Sequence, residues 1–249
     1  MSQAEFQADN PYAQFGTLAV DAPADARLAF IRKTYLHLAL AIYAFVAVEF
    51  VLFSIGAPRW FMPMLAGSPY AWLVVLGVFM GVSWIANKWA MSDTSVGMQY
   101  LGLFLYVVAE AVIFVPLLTL AQNQVVNVQG VGNVPIIAAA GVTTLIVFGG
   151  LTAFVFLTRK DFSFLGGYLA LAGFGALALI VVSIVFPFGL GLWFSGLMVI
   201  LACGYILYYT SNVMQHYRTT QHVAAALALF ASVALLFYYI LMLFLSSRD

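Results

Sequence analysis

The sequence feature that most constrains this chain is an uninterrupted apolar run near its end, Val223–Leu245 (VAAALALFASVALLFYYILMLFL). The run contains no charged residue, glycine or proline, and apart from the tyrosines its one polar side chain is Ser232. An α-helix rises about 1.5 Å per residue, so a helix of this length crosses a hydrocarbon core of about 30 Å. The run therefore predicts a transmembrane helix with Ser232 near its middle.

The composition extends this prediction to the rest of the chain. Of its 249 residues, 65% are hydrophobic and only 7% are charged, with a mean hydropathy of +1.05. Soluble domains carry roughly 25% charged residues, because a surface in contact with water requires polar groups. The composition therefore predicts an integral membrane protein whose main partner is the lipid bilayer. A net charge of zero gives no indication of a nucleic-acid partner.

Apolar segments of this kind recur along the sequence. Only α-helices satisfy their own backbone hydrogen bonds within a single apolar segment, and the alternating polarity of barrel strands is absent. The predicted fold class is an all-α integral membrane protein, a seven-transmembrane-helix bundle. Residues 1–29 are predicted to form a polar, disordered cytoplasmic tail before a transmembrane domain over 30–249. The seven segments predicted as helices lie near 34–55, 70–88, 99–121, 134–157, 164–186, 189–209 and 223–245.

The basic residues predict the orientation of the bundle. Cytoplasmic loops of membrane proteins carry an excess of Lys and Arg. With the N-terminus in the cytoplasm, only Arg59 and Arg248 fall outside. The prediction is therefore a cytoplasmic N-terminus and an external C-terminus. The basic residues that fall inside are Arg27, Arg32, Lys33, Lys88, Arg159, Lys160 and Arg218.

Two carboxylates lie within the predicted membrane segments, Glu49 in the first and Glu110 at the centre of the third. An ionisable group at bilayer depth costs at least about 2.5–3.5 kcal/mol on insertion scales, so it usually faces a cavity or a partner. One interpretation is a relay for protons or cations. The other is a neutral carboxyl group that hydrogen-bonds a neighbouring helix. The polar groups available as partners are Thr143, Thr144, Ser183, Ser232 and the tyrosines.

The remaining polar residues indicate neither an enzyme nor a cofactor. A serine nucleophile needs an activating base, and Ser195 and Ser232 have no histidine at membrane depth. His216 and His222 have a spacing that matches no metal-ligand pattern, and Cys203 is a single cysteine in an apolar run. We therefore predict a protein that is not an enzyme and has no bound metal.

Several stretches together resemble the Bax inhibitor-1 family of membrane proteins, in its bacterial branch. They are FIRKTYLHLAL, MQYLGLFLYVVAEAVIFVPLL, LTRKDFSFLGGYL, GYILYYTSNV and AALALFASVALLFYYIL, at 30–40, 98–118, 157–169, 204–213 and 225–241. The resemblance implies a seven-helix bundle with the last helix central, wrapped by the other six. It also implies a pH-sensitive calcium leak, suppression of cell death in eukaryotes, and modulation of a membrane protease in bacteria. The implied location is the bacterial inner membrane.

The sequence departs from the family pattern where the resemblance implies two pH-sensing aspartates. Tyr209 stands at one of these positions and Ser232 at the other. Two hydroxyls could hydrogen-bond, but they carry no charge that titrates near neutral pH. Two functions remain open. One is a pH-sensitive leak for calcium, other cations or protons, with Glu110 and Glu49 as its acids and calcium as a transported ion, not a bound cofactor. The alternative is a non-conducting protein that binds or regulates a membrane-protein partner, such as a membrane protease.

Overall fold

The computed structural model describes residues 16–68, 70–92, 95–130, 132–186 and 188–247. A short helix, α2 (Ala57–Ala66), follows the first long helix, and an antiparallel hairpin joins β1 (Val125–Val128) to β2 (Gly132–Pro135). The long helices are α1 (Ala24–Ser54), α3 (Ala71–Ala90), α4 (Val96–Ala121), α5 (Ile136–Thr158), α6 (Leu165–Val185), α7 (Gly191–Gln215) and α8 (His222–Ser246).

The long helices confirm the predicted fold class. Seven of them are long and apolar enough to cross a membrane. The main differences from the sequence prediction lie at helix ends. Helix α1 begins at Ala24, and α7 continues to Gln215 because the polar residues Thr210 and Ser211 at its end are buried against other helices. The short helix α2 and the β-hairpin were not predicted.

Helix α8 forms the centre of the bundle. In its most apolar stretch 61% of the residues are buried, against 6% in α6. Helix α8 packs against α1, α3, α4, α5 and α7, whereas α6 packs against α7 at the periphery. The expectation that the last helix is central is therefore confirmed. Helix α6 lies at the edge of the bundle and packs mainly on α7.

Two glycines allow neighbouring helices to approach closely. A Cβ atom at Gly102 of α4 would lie 2.5 Å from the carbonyl oxygen of Ala86 in α3. At Gly173 of α6, a Cβ atom would lie 2.7 Å from the hydroxyl of Tyr205 in α7. Small residues are the usual means of packing transmembrane helices, because lipid provides no hydrophobic force between them. These contacts fix α3 on α4 and α6 on α7.

The segment before α1 packs against the loop between α7 and α8. The backbone N–H of Ala19 donates to the carbonyl of Tyr217 at 2.9 Å, and Leu18 forms an antiparallel bridge with Arg218. Ala19 is fully buried. The prediction of a disordered tail over 1–29 is therefore wrong for residues 16–29, because these backbone bonds order the chain before α1. Residues 1–15 lie outside the described residues. The end of the bundle that carries this contact is called the N-side below.

Candidate functional site

A partly open cavity of about 460 Å³ lies inside the bundle and is lined by α3, α4, α6, α7 and α8. Three of the residues singled out in the sequence line it together: Glu110 from α4, Tyr209 from α7 and Ser232 from α8. The fourth, Glu49 of α1, is not among the lining residues that the structure describes. The cavity therefore brings together residues from three helices that are far apart in the sequence.

Glu110 lies on one buried face of α4, between two aromatic side chains. Tyr106, Glu110 and Phe114 are spaced four residues apart, so their side chains lie above one another on the same side of the helix. Their exposed fractions are 7%, 7% and 1%. The hydroxyl of Tyr106 donates to Oε1 of Glu110 at 3.1 Å. The carboxyl group therefore has a partner one turn away on its own helix.

Most of the polar groups that the sequence offered as partners for Glu110 bond the backbone of their own helix instead. Thr143 and Thr144 donate to the carbonyls of Ala139 and Ala140 within α5, and the hydroxyl of Ser183 donates to Ile180 within α6. Serines and threonines in transmembrane helices commonly make this bond to their own backbone. Of the proposed partners, a tyrosine bonds Glu110, and its spacing of four residues was the available sequence signal.

Ser232 and Tyr209 share the cavity without bonding each other. Ser232 is 3% exposed, and its hydroxyl donates to the carbonyl of Ala228 in α8 at 2.9 Å. Tyr209 stacks on Tyr205, with ring centroids 6.1 Å apart and an angle of 14° between the planes. The hydroxyl pair considered from the sequence is thus corrected, because Ser232 bonds its own helix and Tyr209 stacks on Tyr205.

Tyrosines supply most of the other polar atoms of the cavity. Tyr205 and Tyr209 come from α7, and Tyr238 and Tyr239 come from α8. The hydroxyl of Tyr205 also donates to the carbonyl of Leu169 at 3.0 Å, which ties α7 to α6. Sequence reasoning grouped these residues only as tyrosines. The spacing of four between Tyr205 and Tyr209 gave a signal that both lie on one face of α7.

Glu49 is buried in a different place. Its side chain is 7% exposed, and neither carboxyl oxygen has a hydrogen-bond partner among the described residues. One turn earlier, Phe45 packs edge-on against Phe114 with ring centroids 5.1 Å apart. Glu49 therefore sits outside the cavity on α1, so the two acids considered together from the sequence are not brought into one site.

A second polar cluster joins the α5–α6 loop to the end of α7 on the N-side. Nε2 of His216 lies 3.1 Å from Oδ2 of Asp161, and the hydroxyl of Ser211 accepts the backbone N–H of Phe162 at 2.9 Å. The backbone N–H of Ser163 donates to the Asp161 carboxylate at 2.8 Å. The pKa of Asp161 is lowered from its usual value, first by this backbone bond and then by the Ser163 and His216 side chains. The cluster holds the loop in place.

Across the ranges that the structure describes, no group of three or more His, Cys, Asp or Glu residues lies close enough to hold a metal ion. Instead, the ring of His37 lies 4.9 Å from that of His222, and its Nε2 lies 2.8 Å from the hydroxyl of Tyr100. These contacts connect the N-side ends of α1, α4 and α8.

The comparison with known proteins decides the family. The family model described as "Inhibitor of apoptosis-promoting Bax1" matches residues 27–249, which is nearly the whole chain. The chain belongs to the Bax inhibitor family. The resemblance found in the sequence is thereby confirmed, and Tyr209 and Ser232, where that resemblance implies aspartates, both line the cavity.

Relatives within the Bax inhibitor family come from fungi, plants and bacteria. Bax inhibitor 1 of Schizosaccharomyces pombe is 27% identical over 221 residues, covering 86% of this chain and 75% of that protein. Protein LIFEGUARD 4 of Arabidopsis thaliana is 30% identical, covering 88% of this chain and 85% of that protein. The modulator of FtsH protease YccA of Escherichia coli is 30% identical over 225 residues, covering 88% of this chain and 91% of that protein.

Proposed function

We propose that this Bax inhibitor family protein is a pH-dependent leak for cations or protons, with Glu110 as its key acid. The observation that carries the proposal is the shared cavity, in which Glu110, Tyr209 and Ser232 meet from three helices. A carboxyl group buried in a membrane bundle is costly, and such groups usually mark ion or proton pathways. The cavity gives this carboxyl group a space through which an ion or a proton can move.

The charge of the cavity supports a cation as the conducted species. Among the lining residues that the structure describes, Glu110 is the one carboxylate, and none is basic. When Glu110 is ionised it attracts a cation, and when it is protonated that attraction is lost. Cation flux is therefore proposed to rise with pH, while protons can pass by protonation and release of the carboxyl group itself.

The donor set supports a passing ion over a resident one. Calcium takes six to eight oxygen ligands. The described lining of the cavity offers one carboxylate, the amide of Asn87 and neutral hydroxyls, a set with a single charged ligand. Calcium is thus proposed as a transported ion and not as a bound cofactor. In this account Tyr209 and Ser232 line the path, and Glu49 has no place in the cavity.

The proposed setting is the bacterial inner membrane, with the N-side in the cytoplasm. An E. coli relative that is 30% identical over 225 residues is called inner membrane protein YccA, which supports the membrane. The excess of Lys and Arg near the N-side ends of the helices supports the orientation. Cysteines introduced into a Cys203→Ala chain, at Ser163 and in the β-hairpin, test it by labelling with a membrane-impermeant maleimide in sealed cells. Labelling in the hairpin and not at position 163 is expected.

The leak itself is tested with pure protein in liposomes that contain a calcium-sensitive dye or a pH-sensitive dye. Ion gradients should collapse faster than in protein-free liposomes, and the calcium rate should increase between pH 6 and pH 8. Rates equal to those of empty liposomes at every pH would contradict the proposal. A heat-denatured protein sample reconstituted in the same way controls for damage to the bilayer.

A second function is favoured by one relative. The E. coli modulator of FtsH protease matches 88% of this chain at 30% identity. The alternative is therefore a non-enzymatic protein that regulates an FtsH-type membrane protease without conducting ions. It is tested by adding the protein to liposomes that contain such a protease and a membrane substrate. A changed degradation rate that persists in Glu110→Gln supports regulation independent of the leak, and an unchanged rate contradicts it.

A further inference from the structure

The carboxyl group of Glu110 shares its cavity with several aromatic rings. Phe114 stands one turn along α4, and the ring of Tyr238 from α8 packs edge-on against Phe114 at 5.3 Å between centroids. On the other side, the ring of Phe79 from α3 lies 6.1 Å from that of Tyr106. All of these side chains line the same cavity. Three helices thus contribute four rings to the cavity that holds this carboxyl group, and these four rings are called the cage below.

Among the side chains that line the described part of the cavity, Glu110 is the one carboxylic acid, so negative charge is located there. Helix α7 brings Tyr205 and Tyr209, α8 brings Tyr238 and Tyr239, and α3 and α6 bring no ionisable residue to the described lining. The nearest base along α3 is Lys88, which is exposed and lies over the ring of Trp84 at 5.3 Å. Glu49 of α1 does not line the cavity among the described residues. An ionised Glu110 therefore lacks a protein counter-ion in the described part of the cavity.

We place the opening of the partly open cavity between α3 and α6. Helices α3 and α6 both line it, yet α3 packs on α4 and α8 whereas α6 packs on α7. The described parts of these two helices do not pack extensively on each other. The wall near this gap is apolar and includes Leu76, Leu177 and Ile180. A ligand that dissolves in the membrane can therefore enter sideways.

We infer that the cavity is a binding site for an apolar organic ammonium ion that arrives from the bilayer and pairs with Glu110. Aromatic faces attract such cations, most strongly where water is excluded. The cavity of about 460 Å³ lies within the range of small-molecule sites. An organic cation sheds little hydration on entering an apolar cage, in contrast to a metal ion. A protonated Glu110 must release its proton to pair with the ligand, so binding and proton release are coupled.

The inference uses the same cavity as the proposed leak, and it rests on the same acid, but it does not require ion conduction. Equilibrium binding and ion flux are separate measurements. Glu110-dependent flux without ligand binding would overturn the inference and leave the leak in place. Ligand binding by a protein that conducts neither calcium nor protons would contradict the leak and leave the inference in place.

The test measures binding of benzyltributylammonium to the full chain in nanodiscs of zwitterionic lipid, by isothermal titration calorimetry at several pH values. Saturable one-to-one binding is expected, with proton uptake by the buffer. Where Glu110 is protonated in the free protein, affinity should increase up to tenfold for each unit of pH. Glu110→Gln should weaken binding at least tenfold and remove the pH dependence, whereas Glu49→Gln should bind as the wild type does. Wild-type binding no greater than that of empty nanodiscs, or unchanged binding in Glu110→Gln, would overturn the inference.

A second pair of variants tests the cage without removing the acid. Tyr238→Leu removes one ring and should weaken binding about threefold to tenfold. Tyr238→Phe keeps the ring and should restore binding to nearly the wild-type value. Equal affinity in wild type, Tyr238→Leu and Tyr238→Phe would show that the ring takes no part, and it would contradict the proposed cage even if Glu110→Gln failed to fold.

Discussion

The hydroxyl of Tyr106 donates to Oε1 of Glu110 across 3.1 Å, and both side chains are 7% exposed. The bond joins residues one helical turn apart, so the helix itself fixes the orientation of the carboxyl group toward the cavity. Since α4 packs against the central helix α8, this orientation also depends on the bundle core. The acid is thus held in place before any ion or ligand arrives.

Tyr106→Phe removes this bond and leaves a buried carboxyl oxygen without its donor. A hydrogen bond of this kind contributes about 0.5–1.5 kcal/mol to stability. We expect a lower melting temperature in detergent, by a few degrees, with the bundle still folded. The matched control is Tyr43→Phe, because Tyr43 is 74% exposed. A melting temperature equal to that of the wild type would show that the bond does not stabilise the fold.

Gly102→Ala tests the close packing of α3 on α4. The added methyl group would lie 2.5 Å from the carbonyl oxygen of Ala86 and 2.7 Å from the backbone nitrogen of Ala90. Backbone atoms cannot move aside as a flexible side chain can, so the helices must separate. The expected cost is about 1–3 kcal/mol, measured by thermal or denaturant unfolding in detergent.

Gly77→Ala is the control for this substitution, since a Cβ atom at Gly77 has no heavy atom within 4 Å in the described chain. It lies on α3, like the residues that Gly102 contacts. It should be neutral or slightly stabilising because alanine favours a helix more than glycine does. Equal destabilisation by the two substitutions would contradict the close contact.

Glu49→Leu should stabilise the protein. Both carboxyl oxygens of Glu49 are buried and lack a partner among the described residues, and an unpaired buried polar group costs about 1–3 kcal/mol. Leucine removes that cost, whereas Glu49→Gln retains an unpaired polar group and should gain less. The measurement is the melting temperature of the two variants in the same detergent. A loss of stability in Glu49→Leu would indicate that Glu49 has a polar partner in the membrane.

The fold was largely predictable because long apolar runs decide it. The run at 223–245 predicted a transmembrane helix, the family resemblance implied that this helix is central, and α8 is central. The end of α7 was missed because Thr210 and Ser211 interrupt the apolar pattern, although both are fully buried. The start of α1 was missed because residues 16–20 are ordered by bonds to residues 215–219, which are distant in the sequence.

The candidate site was predictable only in part. Glu110 and Ser232 stand out in the sequence as polar residues in apolar helices. That both line one cavity became clear only from the positions of the two helices in the bundle. The cavity depends on the gap between α3 and α6, and therefore on how the helices rotate and pack. The position of Glu49 outside the cavity could not be predicted for the same reason. The sequence places this acid at membrane depth but does not show which side of its helix faces the cavity.

Asp161→Asn should weaken the N-side loop in a pH-dependent way. The backbone N–H of Ser163, then its side chain and His216, lower the pKa of Asp161 below its usual value of about 3.9. A lowered pKa in the folded state means that the carboxylate stabilises the fold above the unfolded-state pKa, and that this contribution disappears as the pH falls through the folded-state pKa.

The variant should therefore melt below the wild type from pH 5 to pH 7, and the difference should shrink from about pH 4 downward and vanish below the lowered folded-state pKa. The measurement is the melting temperature of both proteins across this range. Asp21→Asn is the control, because Asp21 is exposed before α1. A difference that is constant down to pH 3 would contradict the role of the ionised carboxylate.

The central proposal is tested most directly by calcium and proton flux into proteoliposomes across pH 5.5 to 8.5, comparing wild type with Glu110→Gln. Glutamine is close in shape to glutamate but cannot ionise, so it separates charge from packing. Glu49→Gln serves as the matched control on the acid outside the cavity. The account predicts calcium flux that rises with pH in the wild type and in Glu49→Gln, and flux without pH dependence in Glu110→Gln. The same pH-dependent flux in Glu110→Gln as in the wild type would contradict it.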